Sequence, residues 1–299
     1  EVDEGDPFNK LLHAKSLNNI KSRNIFQTVK SEVIDTQDEG LKNLNIIVEE
    51  KPTGEILVGA GVGSEGGTAQ FSVSENNFLG KGVKLSTGLR VSEERIRGNF
   101  TVTNPNFNYS DKSLSTDVFL TDTDKLADSG YKSTNAGFSF GTAFEQYDDL
   151  FFKPTFRTTY EDLTTNSSAS ANLKKQQGSY FTTEVGYILD LDKRNQKFQT
   201  TDGFQSKFIQ TIPLVSESNT LLNGYQFDTY HSYNDLTASL GLYLRAVTGL
   251  SDDVRISERL NLPRKRLRGF ESGKIGPVDT KDHVGGNYAA SLNFQTNLP

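Results

Sequence analysis

The sequence predicts an all-β chain, an antiparallel transmembrane β-barrel wall preceded by a small α+β segment. Three observations carry this expectation. From Glu55 onward, apolar and polar residues alternate with period two in one stretch after another. Most of these stretches exceed the roughly five or six residues usual for strands of soluble sheets. The longest near-apolar run, Ile56 to Gly63, is far too short for a spanning helix, and the mean hydropathy is −0.53. A barrel tolerates that average because its interior side chains are polar.

Residues 1–52 differ in pattern from the rest of the chain. Asp6-Pro7 reads as a helix start. Phe8, Leu11, Leu12, Leu17 and Ile20 fall on helical spacing, so an amphipathic helix is expected to about Arg23. Phe26 to Val33 and Leu41 to Glu50 read as strands, with Leu44, Ile46 and Val48 on one face. Asp35 to Gly40 between them is turn chemistry. One helix and two strands are too few to close a core. The expectation is the back half of a small α+β domain whose front half precedes Glu1. Pro52-Thr53-Gly54 breaks the pattern and marks the boundary.

Twelve strands are expected beyond it, near 55–63, 67–75, 83–91, 96–103, 113–120, 133–144, 150–161, 178–191, 203–213, 221–233, 236–248 and 284–297. The clearest is 236–248, where Ala238, Leu240, Leu242, Leu244 and Ala246 alternate with Thr237, Ser239, Gly241, Tyr243 and Arg245. Short turns are expected at one end of the sheet, and long polar loops such as Leu163 to Gln177 at the other. Phe78, Phe107, Tyr109, Tyr147, Phe151, Phe152, Tyr180 and Phe181 cluster near strand ends. They read either as interfacial girdles or as the ordinary β-propensity of aromatics.

Between the last two strands lies a loop, about 249–283, that is rich in glycine and charge. Arg264, Lys265, Arg266 and Arg268 stand beside Gly269 and Phe270. The loop is expected to fold back inside the wall, where a desolvated guanidinium needs an anionic partner. The alternative is an outward basic loop near anionic headgroups. The first strand is the second candidate site. Gly59, Gly61 and Gly63 strip one of its faces, leaving either a pliable edge or room beneath the folded-in loop.

Composition excludes several classes. A net charge of −6 gives no global case for nucleic acid. With no cysteine there are no disulfides and no thiolate metal sites. His13, His231 and His283 lie far apart without ligand spacing. Asp148-Asp149 and Asp252-Asp253 are adjacent loop pairs suited to solvation. Gly59-x-Gly61-x-Gly63 has no following helix, so it is not a dinucleotide fingerprint. No catalytic, metal-binding or cofactor-binding constellation appears, and a non-enzyme is expected.

Several stretches carry a family resemblance. They are Glu4-Gly5-Asp6-Pro7-Phe8-Asn9, Val48-Glu49-Glu50-Lys51, the turn Ser74 to Gly82 containing Asn77-Phe78-Leu79-Gly80, and Thr103-Asn104-Pro105-Asn106-Phe107. To these are added Arg268-Gly269-Phe270 and Val284-Gly285-Gly286-Asn287. Together they resemble the BamA-like superfamily of outer-membrane protein assembly and translocation factors over the whole chain. The resemblance implies that 1–52 is the C-terminal part of a last periplasmic POTRA domain. It implies that 53–299 is barrel, with about 12 of about 16 strands present. Roughly four strands are then expected beyond Pro299, making the chain an incomplete piece of a closed barrel. The resemblance further implies an outer-membrane location with the N-terminal domain in the periplasm. The implied function is folding and insertion of barrel proteins through a lateral seam at the first strand. Implied partners are unfolded outer-membrane proteins, accessory lipoproteins, periplasmic chaperones and the lipid bilayer. A two-partner secretion translocator and a passive porin are the rival readings. One departure stands out: in the segment Asp192 to Gly203, Thr200 or Thr201 takes the place of a usual proline.

Overall fold

The computed structural model describes residues 2, 4–36, 42–63, 66–217, 219–234, 236–271 and 273–297. Helix α1 spans Lys10–Ser22. It starts later than Asp6-Pro7 because Asn9 caps it, its side chain accepting from the amides of Leu11 (2.9 Å) and Leu12 (3.3 Å). Strands β1 (Phe26–Asp35) and β2 (Lys42–Glu50) form a separate two-stranded sheet. The expected turn 35–40 lies, beyond Thr36, outside the described residues. Of the described residues in this segment only Ile25 is buried, as one helix and one hairpin allow.

The rest is one twelve-stranded antiparallel sheet. Its strands are β3 (Gly54–Gly63), β4 (Gly66–Phe78), β5 (Val83–Ser92), β6 (Arg95–Asn104), β7 (Ser113–Lys125) and β8 (Tyr131–Tyr147). They continue with β9 (Leu150–Thr165), β10 (Gly178–Asp192), β11 (Gly203–Ser216), β12 (Thr220–Tyr233) and β13 (Leu236–Gly249). After a hairpin of two short strands, β14 (Val278–Asp279) and β15 (Asp282–His283), the chain returns as β16 (Tyr288–Asn297) beside β13. Every strand pairs with its sequence neighbour, β16 with β13, and β3 and β16 are the two edges.

Register sorts the side chains into two faces. One transverse row runs Val58, Phe71, Leu89, Gly98, Leu120, Ala136, Tyr160 and Phe181 from β3 to β10. The row one residue further along runs Gly59, Gln70, Arg90, Arg97, Thr121, Asn135, Glu161 and Tyr180 on the opposite face. The first face leaves Ile56, Val58, Phe71, Phe100, Leu120, Phe138, Leu292 and Phe294 exposed. A soluble sheet would bury such a surface, and a lipid-facing one need not.

Three expectations change. Residues 284–287 are not part of the last strand, because Gly286 exchanges both main-chain hydrogen bonds with Leu260 instead (2.8 and 2.9 Å). Turn length does not divide cleanly between the two ends. Two-residue turns occur at 93–94 and at 148–149, on opposite ends, and 193–202, at the same end as 148–149, is nearly as long as 166–177 at the other. Tyr180 and Phe151 share the polar face with Glu161 and Asp190 and so belong to no outer girdle. The outer aromatic row is Phe144, Phe152, Tyr187 and Phe208, in successive ring contacts of 5.8, 6.0 and 6.1 Å.

The amino-terminal segment meets the sheet at the end where β3 begins. The Arg23 guanidinium donates to Asn106 Oδ1 and lies against the Gly82 turn. The Asn76 amide donates to the Thr53 carbonyl at 3.3 Å.

The two faces should respond oppositely to charge. Leu242→Arg, on the apolar face mid-strand, is expected to destabilise the protein in vesicles by about 2–4 kcal/mol, while Ser74→Arg, on the polar face, changes stability by less than about 1 kcal/mol. Urea titrations of the two variants check this, and equal losses would contradict the assignment of faces.

Candidate functional site: the inward loop and the first strand

The connection from β13 to β16, residues 250–287, lies on the polar face and is fastened at two levels. The first is apolar. Ile256 and Val284 pack with Leu163 near the end of β9 and with Ala169 and Leu173 of the β9–β10 loop, flanked by Tyr131 and Tyr180. Beside them Arg255, only 5% exposed, sits 4.1 Å over the Tyr180 ring. Its Nη1 is 3.4 Å from Glu161 and its Nη2 2.8 Å from Glu258. Glu161 also accepts from Ser133 (2.6 Å) and Ser257 (3.0 Å). A buried guanidinium demands such a set, since one unmatched charge at this depth costs several kcal/mol.

Polar contacts extend this attachment. Gln176 Oε1 accepts from the Ile256 amide (2.8 Å), Ser170 donates to Asp279 (2.6 Å), and Lys274 donates to Asp128 (2.5 Å). The hydrogen bond to Asp128 holds the Lys274 ammonium above its ordinary value.

The second level is one ion pair. Pro263 opens a single 3₁₀ turn, Arg264–Arg266. It aims Arg266 across the polar face, where Nη1 and Nη2 fork onto Asp228 of β12 at 2.9 and 3.0 Å. The pair is largely enclosed, Arg266 being 11% exposed and Asp228 27%. It lies over Gly241, directly opposite Asp228 on β13. A Cβ on Gly241 would overlap both the guanidinium and the carboxylate. The Arg266 carbonyl also accepts from Asn293 Nδ2 of β16 at 2.8 Å, so the turn is pinned to three adjacent strands.

The sequence motif is placed beside this anchor. Arg268 is exposed, with Nη2 3.5 Å from Gln295 Oε1 on the same polar face. Gly269 adopts a φ of +83°. Phe270 is 55% exposed and lines only a shallow cleft with Leu262, Leu267 and Ile275, so it is not a buried anchor. Gly285 at φ +70° turns the chain, Gly286 bonds Leu260, and the Asn287 carbonyl accepts from Val247. Sequence reasoning missed Asp228, Gly241 and Arg255. The available signal was a carboxylate and a glycine interrupting the polar faces of two clean strands.

On β3, Gly59 and Gly61 face the same side as the loop, but the loop does not crowd them. A Cβ on Gly59 would meet only Gln70, at 3.2 Å, and one on Gly61 only Thr68, at 3.7 Å. Gly63 continues the ladder opposite Gly66. At the β10–β11 turn, Arg194 forks onto Asp192 (2.7 and 2.8 Å). Asn195 Oδ1 accepts from the amides of Gln196, Thr201 and Asp202. Side-chain bonds from Thr200 and to Thr201 thus stiffen the turn without a proline. His13 bonds Ser31 and His231 lies 3.5 Å from Asp202, far from each other. Among the described residues no group of three His, Cys, Asp or Glu is placed to hold a metal.

A sheet with an apolar outer face, a polar inner face and its own loop pinned across that inner face is the wall of a transmembrane barrel with an inserted loop. Residues 77–299 match the Omp85 superfamily domain, and the chain belongs to that superfamily. It is 25% identical over 266 residues to outer membrane protein assembly factor BamA of Neorickettsia risticii, covering 86% of this chain and 36% of that protein. It is 23% identical over 309 residues to BamA of Nitratidesulfovibrio vulgaris, covering 98% and 38%. The chain thus spans little more than a third of these relatives. Among solved structures, BamA from Haemophilus ducreyi lacking POTRA domains 1–3 superposes with a TM-score of 0.80 at 18% identity, covering 99% of this chain and 63% of that one. CdiB from Escherichia coli gives 0.62 at 14% identity, covering 99% and 58%. CdiB from Acinetobacter baumannii gives 0.57 at 13%, covering 100% and 56%. At these identities the structural likeness speaks to fold.

Two outcomes are expected for the loop. Arg266→Ala and Gly241→Ala should each raise the rate of protease cleavage within 264–268 about tenfold or more, and Arg266→Lys should not restore protection, because an ammonium cannot fork. Unchanged cleavage in both would remove the ion pair from the account. The Lys274 link should be fully present below pH 10.5, the ordinary lysine value, and lost only as pH rises through the raised one. Cleavage near Lys274 that accelerates between roughly pH 6 and 8, where lysine does not titrate, would contradict that sign.

Proposed function

We propose that this chain is the membrane-embedded part of an outer-membrane protein assembly factor, with residues 1–52 the remnant of a periplasmic POTRA domain. The observation that supports this reading is the edge strand β3, where Gly59 and Gly61 clear the inner face while Ile56, Val58 and Val62 stay exposed outside. A row of free backbone donors and acceptors is unsustainable in lipid, and it templates any extended segment offered to it. In the longer protein that edge would close against the last strand in a weak seam, since a glycine-rich strand packs few side chains. An unfolded outer-membrane protein would add its strand there, and its own folding supplies the free energy. No nucleotide or cofactor is required. Accessory lipoproteins and periplasmic chaperones would deliver clients from the periplasmic side. The two BamA relatives support assembly over secretion.

Depletion of the parent protein tests the reading. Newly made outer-membrane barrels should remain unfolded in the periplasm and be degraded. Normal assembly of those barrels after depletion would defeat it. Because the chain has no cysteine, a single Val58→Cys variant gives an independent reading: disulfide capture of an arrested client bearing one cysteine is expected at the edge.

A further inference from the structure

Several cations of the inner face are matched by carboxylates. Lys153 and Lys207 share Asp190 (2.7 and 3.9 Å), Arg194 forks onto Asp192, Arg255 lies between Glu161 and Glu258, and Arg266 forks onto Asp228. Among the described residues, Arg157 and Arg245 have no ion pair and lie over the rings of Phe119 and Tyr243, whereas Arg90 and Arg97 have neither carboxylate nor ring. These last two stand directly opposite each other on β5 and β6, both exposed on the inner face. Among the described residues neither guanidinium has an ion pair or hydrogen bond. Like charges directly opposed across two strands destabilise the pair, so the arrangement persists at a cost.

The row continues to the open edge. Arg90 faces Gln70 on β4, and Gln70 faces Gly59 on β3. The Gln70 amide also lacks a hydrogen-bond partner among the described residues, and it leans over the glycine. A Cβ on Gly59 would stand 3.3 Å from its Nε2. Gly59 lies on the edge strand, the position at which the edge-pairing reading above places a client. Three donor groups therefore lead inward from the edge, two of them cationic and none matched by an acceptor. A strand added to β3 would point every second side chain onto this face. It would lie about 14 Å, three strand spacings, from Arg90, with no side chain on Gly59 in between. Long side chains reaching toward each other over the glycine cover that distance.

We infer that Gln70, Arg90 and Arg97 recognise an acidic side chain on the inner face of the client strand that pairs with β3. The inference rests on the edge-pairing reading above and adds a sequence requirement to it. The carboxylate supplies the missing acceptor and relieves the Arg90–Arg97 repulsion, so the interaction favours acidic over isosteric neutral strands.

The test uses the full-length protein in nanodiscs and two fluorescent peptides of alternating apolar and polar residues. The peptides differ only by Glu or Gln at the central polar position, and binding is followed by anisotropy. The Glu peptide should bind about fivefold more tightly. Its advantage should vanish at high salt and in the double variant R90Q/R97Q, whose folding is checked by heat-modifiable migration. Equal binding of both peptides to the native protein overturns the inference and leaves edge pairing intact. Binding of neither overturns both. A Glu advantage that survives in the double variant, or that anionic phospholipid in the nanodisc abolishes, assigns the acid or the arginines elsewhere and equally overturns it.

Discussion

One constraint governs this molecule: the sheet separates two solvents, and each face must suit its own. On the outer face exposed Val, Leu, Ile and Phe are stable only against hydrocarbon. On the inner face carboxylates and cations must find one another or water. The loop 250–287 is legible only within this division. It carries a cluster of cations, and it can lie against the inner face because Asp228 accepts one of them and Gly241 leaves room for the pair. The apolar cluster around Leu163 and Ile256 fixes the loop at its base, and the Arg266 fork fixes its far turn. Between these levels the loop spans β9 to β16 and couples strands distant in sequence.

The same constraint explains where the wall is weak. Strands β8 to β13 are the long ones, each of 14 residues or more, against 10 in β3. At β3 the inner face carries Gly59 and Gly61. Side-chain packing is thus densest under the loop and sparser at β3.

Much of the wall was legible in the sequence because period two is a strong signal when each face meets a different solvent. Leu240, Leu242 and Leu244 against Ser239, Gly241 and Tyr243 show it plainly. Boundaries failed where tertiary contacts overrode pattern. Gly285-Gly286 reads as strand, yet its hydrogen bonds go to Leu260. Asp6-Pro7 reads as a helix start, yet Asn9 supplies the cap. The loop's inward course was expected from its charge, but its anchor was not. Arg268 drew attention through its motif, whereas the fork belongs to Arg266, two residues earlier. Which of four neighbouring cations meets a carboxylate depends on the direction set by the Pro263 turn, and no local pattern encodes that. Tyr180 likewise looked interfacial, because a strand-end aromatic carries no mark of which face it occupies.

The central claim is that apolar residues face lipid while the loop lies on the other side. Single spin labels placed in turn along residues 237–248 of β13, in reconstituted vesicles, test it most directly. Collision with oxygen should peak at Ala238, Leu240, Leu242, Leu244 and Ala246, and collision with a water-soluble nickel chelate should stay low at all of them. Ser239 and Tyr243 should show reduced oxygen access, and Gly241 is left unlabelled because any side chain there would displace the Arg266–Asp228 pair. Equal oxygen access along the strand, or strong chelate access at Leu242, would contradict the account.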